Sequence, residues 1–304
     1  MSLYIAAALL SAIAFVLVGP MSVRLARVPW VTQSPRAAVA LWQSVGLSAA
    51  LATMGAGLCV AVERFHAGFI GGVSDLFDGL VDGHPLSGLG LPDALGLTLA
   101  ADLGVVVLGV AISVIVRTAK ARARHRRLLS LVSTDEPRPS GTVMLDHASA
   151  VAYCLPGLRP RIVISKGTMG LLGSDELAAV VAHERGHAIE RHGLVMLPLT
   201  GVADLFRWVP YARVAPKAVA GLLEMAADDH AARHHDPRSL ARALVSMATS
   251  SITPSCAFAI ASGAVPQRVH RLLNEGRSSK RVACLAALAA GAVLAIPLSL
   301  MVAL

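Results

Sequence analysis

The stretch from Val180 to Gly193 reads VVAHERGHAIERHG. It sets His183 and His187 four residues apart, with Glu184 directly after the first. On a helix both imidazoles project from one face, one turn apart. Two ring nitrogens on one face supply two corners of a zinc tetrahedron, and a glutamate beside them can reach a zinc-bound water without ligating the ion. Three fixed residues also arise by chance, so the surroundings must decide. A catalytic zinc needs a third protein ligand and an open position. Downstream, EMAADDHAAR repeats the helical spacing with Glu224 and Asp228. The assignment that follows takes His183, His187 and Glu224 as ligands of one Zn2+ and Glu184 as the general base. Asp228 then accepts the ring N–H of His183. His192 competes as a ligand, but an all-histidine site needs H-E-x-x-H-x-x-G-x-x-H, and the final position here is Gly193. His192 is expected to solvate the helix end instead.

The elements that must position these groups can be read on either side. GSDELAAVVAHERGHAIERHG carries helix signals: Ser174 as N-cap, Asp175 and Glu176 at the positive end of the dipole, and Gly193 as the stop. Leu177, Val180, Val181 and Ala188 give that helix its apolar surface. Before it, TVML, SAVAYCL and RIVIS read as short strands, with a turn at PGLRP (Pro156 to Pro160). RIVIS is either an edge on which a substrate peptide adds or simple sheet core. STDEPRPSG, Ser133 to Gly141, reads as a polar linker and a domain start. After the helix, the apolar run Leu194 to Phe206 is too short to span a bilayer and reads as a buried or interfacial helix. Trp208 and Tyr211 suit a membrane surface. His230, His234 and His235 are candidates for a second oxyanion donor by type only, and solvated helix residues otherwise.

Composition places all of this at a membrane. The chain has 304 residues, 55% hydrophobic and only 15% charged, and its mean hydropathy of +0.64 excludes an ordinary soluble protein. Four apolar runs, Tyr4 to Val23, Ala37 to Val62, Leu95 to Val116 and Val282 to Leu304, are each long enough to span. A cleaved signal peptide is the alternative for the first. However, MSLY carries no Lys or Arg and the arginines follow the run, so a retained helix is expected. Asp102 interrupts the third run as a functional contact, a snorkelling side chain or a protonated one. Cys59 and Cys284 lie in predicted spans, Cys154 and Cys256 outside them, and with no C-x-x-C pair all four read as ordinary buried or membrane residues.

The positive residues cluster at Arg24, Arg27 and Arg36, in RTAKARARHRR from Arg117, and in RSSKR from Arg277. The segment between the second and third runs has Arg64 against Glu63, Asp75, Asp78, Asp82 and Asp93. The positive-inside rule then puts both termini and the acidic loop outside and residues 117–281 in the cytoplasm of a multi-pass cell-membrane protein. Beside a span, the net charge of +8 speaks for orientation and headgroup contact, so no direct nucleic-acid partner is expected. The expected fold is membrane α-helical, four transmembrane helices with an inserted α+β domain. Its expected parts are residues 1–127 (spans near 4–23, 37–62 and 95–116), residues 128–281 for the zinc domain and residues 282–304 for the last span.

LLGSDELAAVVAHERGHAIERHG followed by EMAADDHAA resembles the gluzincin membrane zinc metallopeptidases, with their H-E-x-x-H and E-x-x-x-D motifs. In the HtpX and prenyl-protein-protease group, spans usually lie between or after the motifs. In the BlaR/MecR group, three precede the catalytic domain and one follows it. Three apolar runs before the motifs and one after make this chain more similar to BlaR/MecR. The resemblance is specific from about Ala150 to Arg233 and architectural elsewhere. It implies a zinc endopeptidase that cleaves a protein substrate, such as a transcriptional repressor, with the residue roles given above. No lysine among Lys120, Lys166, Lys217 and Lys280 has a serine three residues before it, so the penicillin-binding sensor of BlaR and MecR is not expected. HtpX-like quality control and a non-catalytic receptor or scaffold that keeps the zinc fold are the alternatives. An intact Glu184 argues against the scaffold, because zinc binding alone does not need it.

Overall fold

The structure, a computed structural model, describes residues 2–82, 90–132, 142–155, 160–250, 264–274 and 280–303. The expected linker at 133–141, most of the PGLRP turn and Cys256 lie outside the described residues.

Four helices are long and apolar enough to cross a membrane: α1 (Leu3–Leu25), α2 (Pro35–Val62), the first part of α4 (Leu91–Val132) and α11 (Lys280–Val302). They coincide with the four apolar runs. Within α1 the segment Leu17–Met21 opens into π-helix at Gly19 and Pro20. Proline has no N–H to give, and carbonyls one turn back lose a partner. Ser22 Oγ donates to Val18 O at 3.1 Å and to Gly19 O at 2.8 Å, so the break is satisfied locally. α2 is the central post of the bundle. Its buried face carries Ala38, Trp42, Val45, Ala49, Ala52 and Ala56, and α1, α4 and α11 all pack on it. The acidic segment holds a further helix, α3 (Gly68–Val81). α4 does not stop where the apolar residues stop, but runs on through the basic stretch to Val132.

The remaining elements are β1 (Thr142–Leu145), β2 (Ala152–Leu155), β3 (Arg161–Ser165), α5 (Lys166–Leu171), α6 (Ser174–Ile189), α7 (His192–Leu205), α8 (Pro210–Ala231), α9 (Pro237–Ser250) and α10 (Ala264–Leu273). The sheet order is β1-β3-β2, with β3 parallel to β1 and antiparallel to β2. RIVIS is therefore the middle strand, with both edges taken, and among the described residues β2, which packs beside α6, pairs with a strand on one side only. Ser165 ties this corner together. Its hydroxyl donates to Ser149 O at 2.7 Å and accepts from Val151 N and from Thr168 N, the last capping α5. Residue 167 must be glycine here, because a Cβ would run into the Ala148 carbonyl.

Two helix-end readings change. The cap of α6 is Gly173, whose N–H reaches Glu176 Oε2 at 3.2 Å, and Ser174 is the first helical residue. The helix ends before Gly193, at a left-handed Arg191 (φ 51°), and Gly193 lies in the first turn of α7. A helix that begins again at His192 does not need glycine at 193.

Helices α7 and α8 join the bundle through one apolar layer, in which Leu199, Tyr211, Ala215, Val219 and Leu222 meet Leu17, Trp42 and Val45. Tyr211 is 4% exposed and donates to Trp42 O at 3.0 Å. It is thus a buried joint between α8 and α2 rather than a membrane-surface residue, while Trp208 is 72% exposed.

Candidate active site

α6 and α8 cross closely, and that crossing builds the site. Gly186 of α6 is buried against Ala227 and His230 of α8, where an added Cβ would lie 3.0 Å from His230 Cβ and 3.3 Å from Ala227 Cα. The close approach brings His183 and His187 opposite Glu224. Their Nε2 atoms are 3.2 Å apart, and each is 3.5 Å from a Glu224 carboxylate oxygen. Donors on a tetrahedral zinc at about 2.0–2.2 Å lie about 3.4 Å from one another. The three groups have the spacing of three corners of one such site, and they form a group able to hold a metal ion. One carboxylate with two imidazoles is also a donor set that zinc takes.

Each histidine is held from behind. Nδ1 of His183 faces Asp228 Oδ1 at 3.0 Å, a close charge contact rather than an aligned hydrogen bond. Nδ1 of His187 meets His192 Nδ1 at 2.8 Å. His192 is 5% exposed, so it does not solvate the helix end but props the His187 ring. From His192 the chain of contacts continues to Glu190 Oε2 at 3.4 Å, and Glu190 receives a two-point hydrogen bond from Arg36 at the start of α2.

Burial pulls the His183 imidazole down, but Asp228 and Glu224 outweigh it and lift it to about 9. The proton they favour occupies the place a bound cation would take. Burial drives His187 down to about 4, which leaves it neutral with a lone pair to give. Burial works against the Glu224 charge as well, yet His183 and Arg268 hold that carboxyl at about 2.

Arg268, on α10, is the residue that sequence reasoning missed. Its guanidinium spans Asp228 at 2.7 and 2.8 Å and reaches Glu224 Oε2 at 2.9 Å. Its side chain is only 12% exposed. It fixes the two carboxylates of α8 at once, a fork geometry that lysine cannot copy. No spacing rule connects Arg268 to EMAADD some forty residues earlier. Only the fold of α10 against α8 and α9 joins them.

Glu184 lines two cavities that meet at His183, Glu184 and Glu224. One, of about 330 Å³, is walled by apolar Val180, Leu240, Leu244, Met247 and Val265. The other, of about 400 Å³, is walled by Tyr153, Cys154, His187 and His192. Burial raises the Glu184 carboxyl, and the backbone N–H of Cys154 on β2 binds it. Cys154 thus lies against the site, though its thiol is pushed up by burial to about 11 and is no nucleophile. His230, His234 and His235 line neither cavity.

Residues 117–234 match the model of peptidase family M48. The match takes in both helical pairs, His183/His187 and Glu224/Asp228, and supports a zinc-dependent metallopeptidase. Arg268 lies beyond it. The chain matches no curated protein and no solved structure.

Proposed function

We propose that this chain is a membrane-embedded zinc-dependent endopeptidase that cuts a cytoplasmic or membrane-proximal protein segment. The observation that carries the reading is the convergence of His183, His187 and Glu224 at 3.2–3.5 Å with Glu184 beside them in the same cavity. His183, His187 and Glu224 hold the metal, with Asp228 and His192 fixing the rings. A zinc ion there supplies an acidified water nucleophile and a Lewis acid for the scissile carbonyl.

Every other part of the mechanism belongs to the chain. Glu184 lies half-buried beside the ligands and accepts the proton of the attacking water, then returns it to the leaving amine. Its raised carboxyl is a stronger base than a solvated one. The side of β2 without a partner strand among the described residues offers backbone groups to an extended substrate, which adds as a further strand. That orientation carries a substrate side chain toward the apolar cavity under Leu240, Leu244 and Met247, so an aliphatic residue beside the cut is favoured. Arg268 keeps Glu224 and Asp228 in place and brings a positive charge to the cavity wall where the carbonyl oxygen becomes negative.

The arrangement of three apolar runs before the motifs and one after supports a regulatory role of the BlaR/MecR kind, cleavage of a repressor included. The family match is equally compatible with HtpX-like quality control of membrane proteins. The catalytic side faces the cytoplasm in this reading, on the strength of the Lys/Arg bias. Comparative proteomics of cells with wild-type and Glu184→Gln protein tests the whole proposal. One or a few fragments absent from the variant support regulation, and many membrane-protein fragments support quality control. Identical fragment sets sink the enzyme.

A further inference from the structure

On another face of α8, sharing no wall residue with the two cavities at Glu184, lies a cavity of about 700 Å³. Its walls come from two unlike regions. Arg36, Arg233 and Arg271 line one part, and Ala283 and Ala287 in the first turns of α11 line the other. Arg36 opens α2 and Ala283 opens α11, so the cavity sits where two candidate spans begin and the catalytic-side helices end.

The charges do not balance. Arg271 pairs with Asp229 at 2.8 Å, and Arg36 divides itself between Glu190 and Asp229, the latter at 3.6 Å. Three guanidinium groups thus share two carboxylates. Arg233 is exposed at the rim and is bound by no acidic side chain among the described residues. One positive charge is left over in a cavity whose other wall is alanine from a span.

We infer that this cavity binds the phosphate of an anionic phospholipid, with the acyl chains lying along Ala283 and Ala287 of α11. A phosphodiester carries one negative charge, which matches the unpaired Arg233, and guanidinium groups take phosphate oxygens in pairs. Free phosphate offers the same headgroup chemistry but has nothing to place against the alanine wall. The inference rests on the reading that α2 and α11 span a bilayer.

The test uses full-length protein in a neutral detergent. Native mass spectrometry compares retention of phosphatidylglycerol and phosphatidylcholine, and thermal melts follow titration with inorganic phosphate alone. Phosphatidylglycerol should be retained in preference to phosphatidylcholine. Arg233→Gln should weaken that retention about fivefold, since one arginine at a headgroup is worth about that factor. Arg233→Lys should keep most of it. Ala287→Phe should block the lipid while leaving the response to phosphate intact. Equal retention of both lipids, or indifference to Arg233→Gln with melting temperatures unchanged, overturns the proposal. A phosphate response that depends on Arg233, without any phosphatidylglycerol preference, also overturns it and assigns the cavity to a free anion. Because binding is read without a substrate, failure here is separable from failure of the peptidase reading.

Discussion

Glu184 offers the narrowest test of the site, because its role and that of its neighbours separate in measurement. General-base help is typically worth about 10²–10⁴-fold, so Glu184→Gln should reduce cleavage by that factor with zinc content unchanged by elemental analysis. Loss of metal along with activity would instead make Glu184 structural. Arg268 should behave differently. Without its fork, the buried Asp228 and the half-exposed Glu224 are left as two carboxylates facing each other across one helix turn. Arg268→Gln should therefore lower zinc affinity by about 10–100-fold, the range for groups that orient metal ligands. Arg268→Lys should recover only part of the loss, as competition with a chelator would show. The histidine and glutamate pairs could be read from spacing because a helix repeats every turn. The roles of Arg268 and His192 could not. Arg268 is recruited across a tertiary contact, and His192 looked like a solvated residue until the left-handed Arg191 turned the chain back and buried it.

At the scale of the elements, the crossing of α6 over α8 is what turns two sequence motifs into one site. Gly186→Val should separate them, since the added carbons meet Ala227 and His230. Overpacking of this kind costs typically about 1–3 kcal/mol, and the melting temperature and zinc content should fall together. A second joint ties the end of α6 to the start of α2 through Glu190 and Arg36. Burial raises the Glu190 carboxyl, but the Arg36 hydrogen bond and charge win and depress it below its unfolded value. The stability it contributes is therefore present above about pH 4.3, the unfolded carboxylate value, and is lost as pH falls through the lower folded value. Arg36→Gln should flatten that acid limb of a melting-temperature profile. An unchanged acid limb would remove the joint from the account. The strands and helices of this region were legible from their apolar patterns, yet the order of the strands was not. Nothing in RIVIS distinguishes a middle strand from an edge, because four of its residues are buried in either case once α6 covers the sheet.

For the whole molecule, the four apolar runs were the clearest signal in the sequence, since length and hydropathy alone select them. Their orientation rests on arginine placement. Reporter fusions after Arg127 should be active in the cytoplasm, and fusions near Gly83 outside. The reverse pattern would move the catalytic side, and any substrate, to the other face of the membrane. One member of the bundle has a mechanical meaning. At 42 residues, α4 is about 63 Å long, about twice the ~30 Å of a bilayer core. If α4 spans, about half of the rod would stand clear of the lipid, and Arg117 near that exit faces Asp204 of α7 at 3.4 Å. Spans tilt to suit the thickness of their membrane. A tilt of about 10° would swing the free half of this rod by about 5 Å, roughly one helical turn. α4 is in that sense a lever with its fulcrum at the membrane surface. In the reading that α4 spans a bilayer, a change in lipid thickness would move the helix beyond Arg117 most and the Arg117–Asp204 contact, close to the pivot, least.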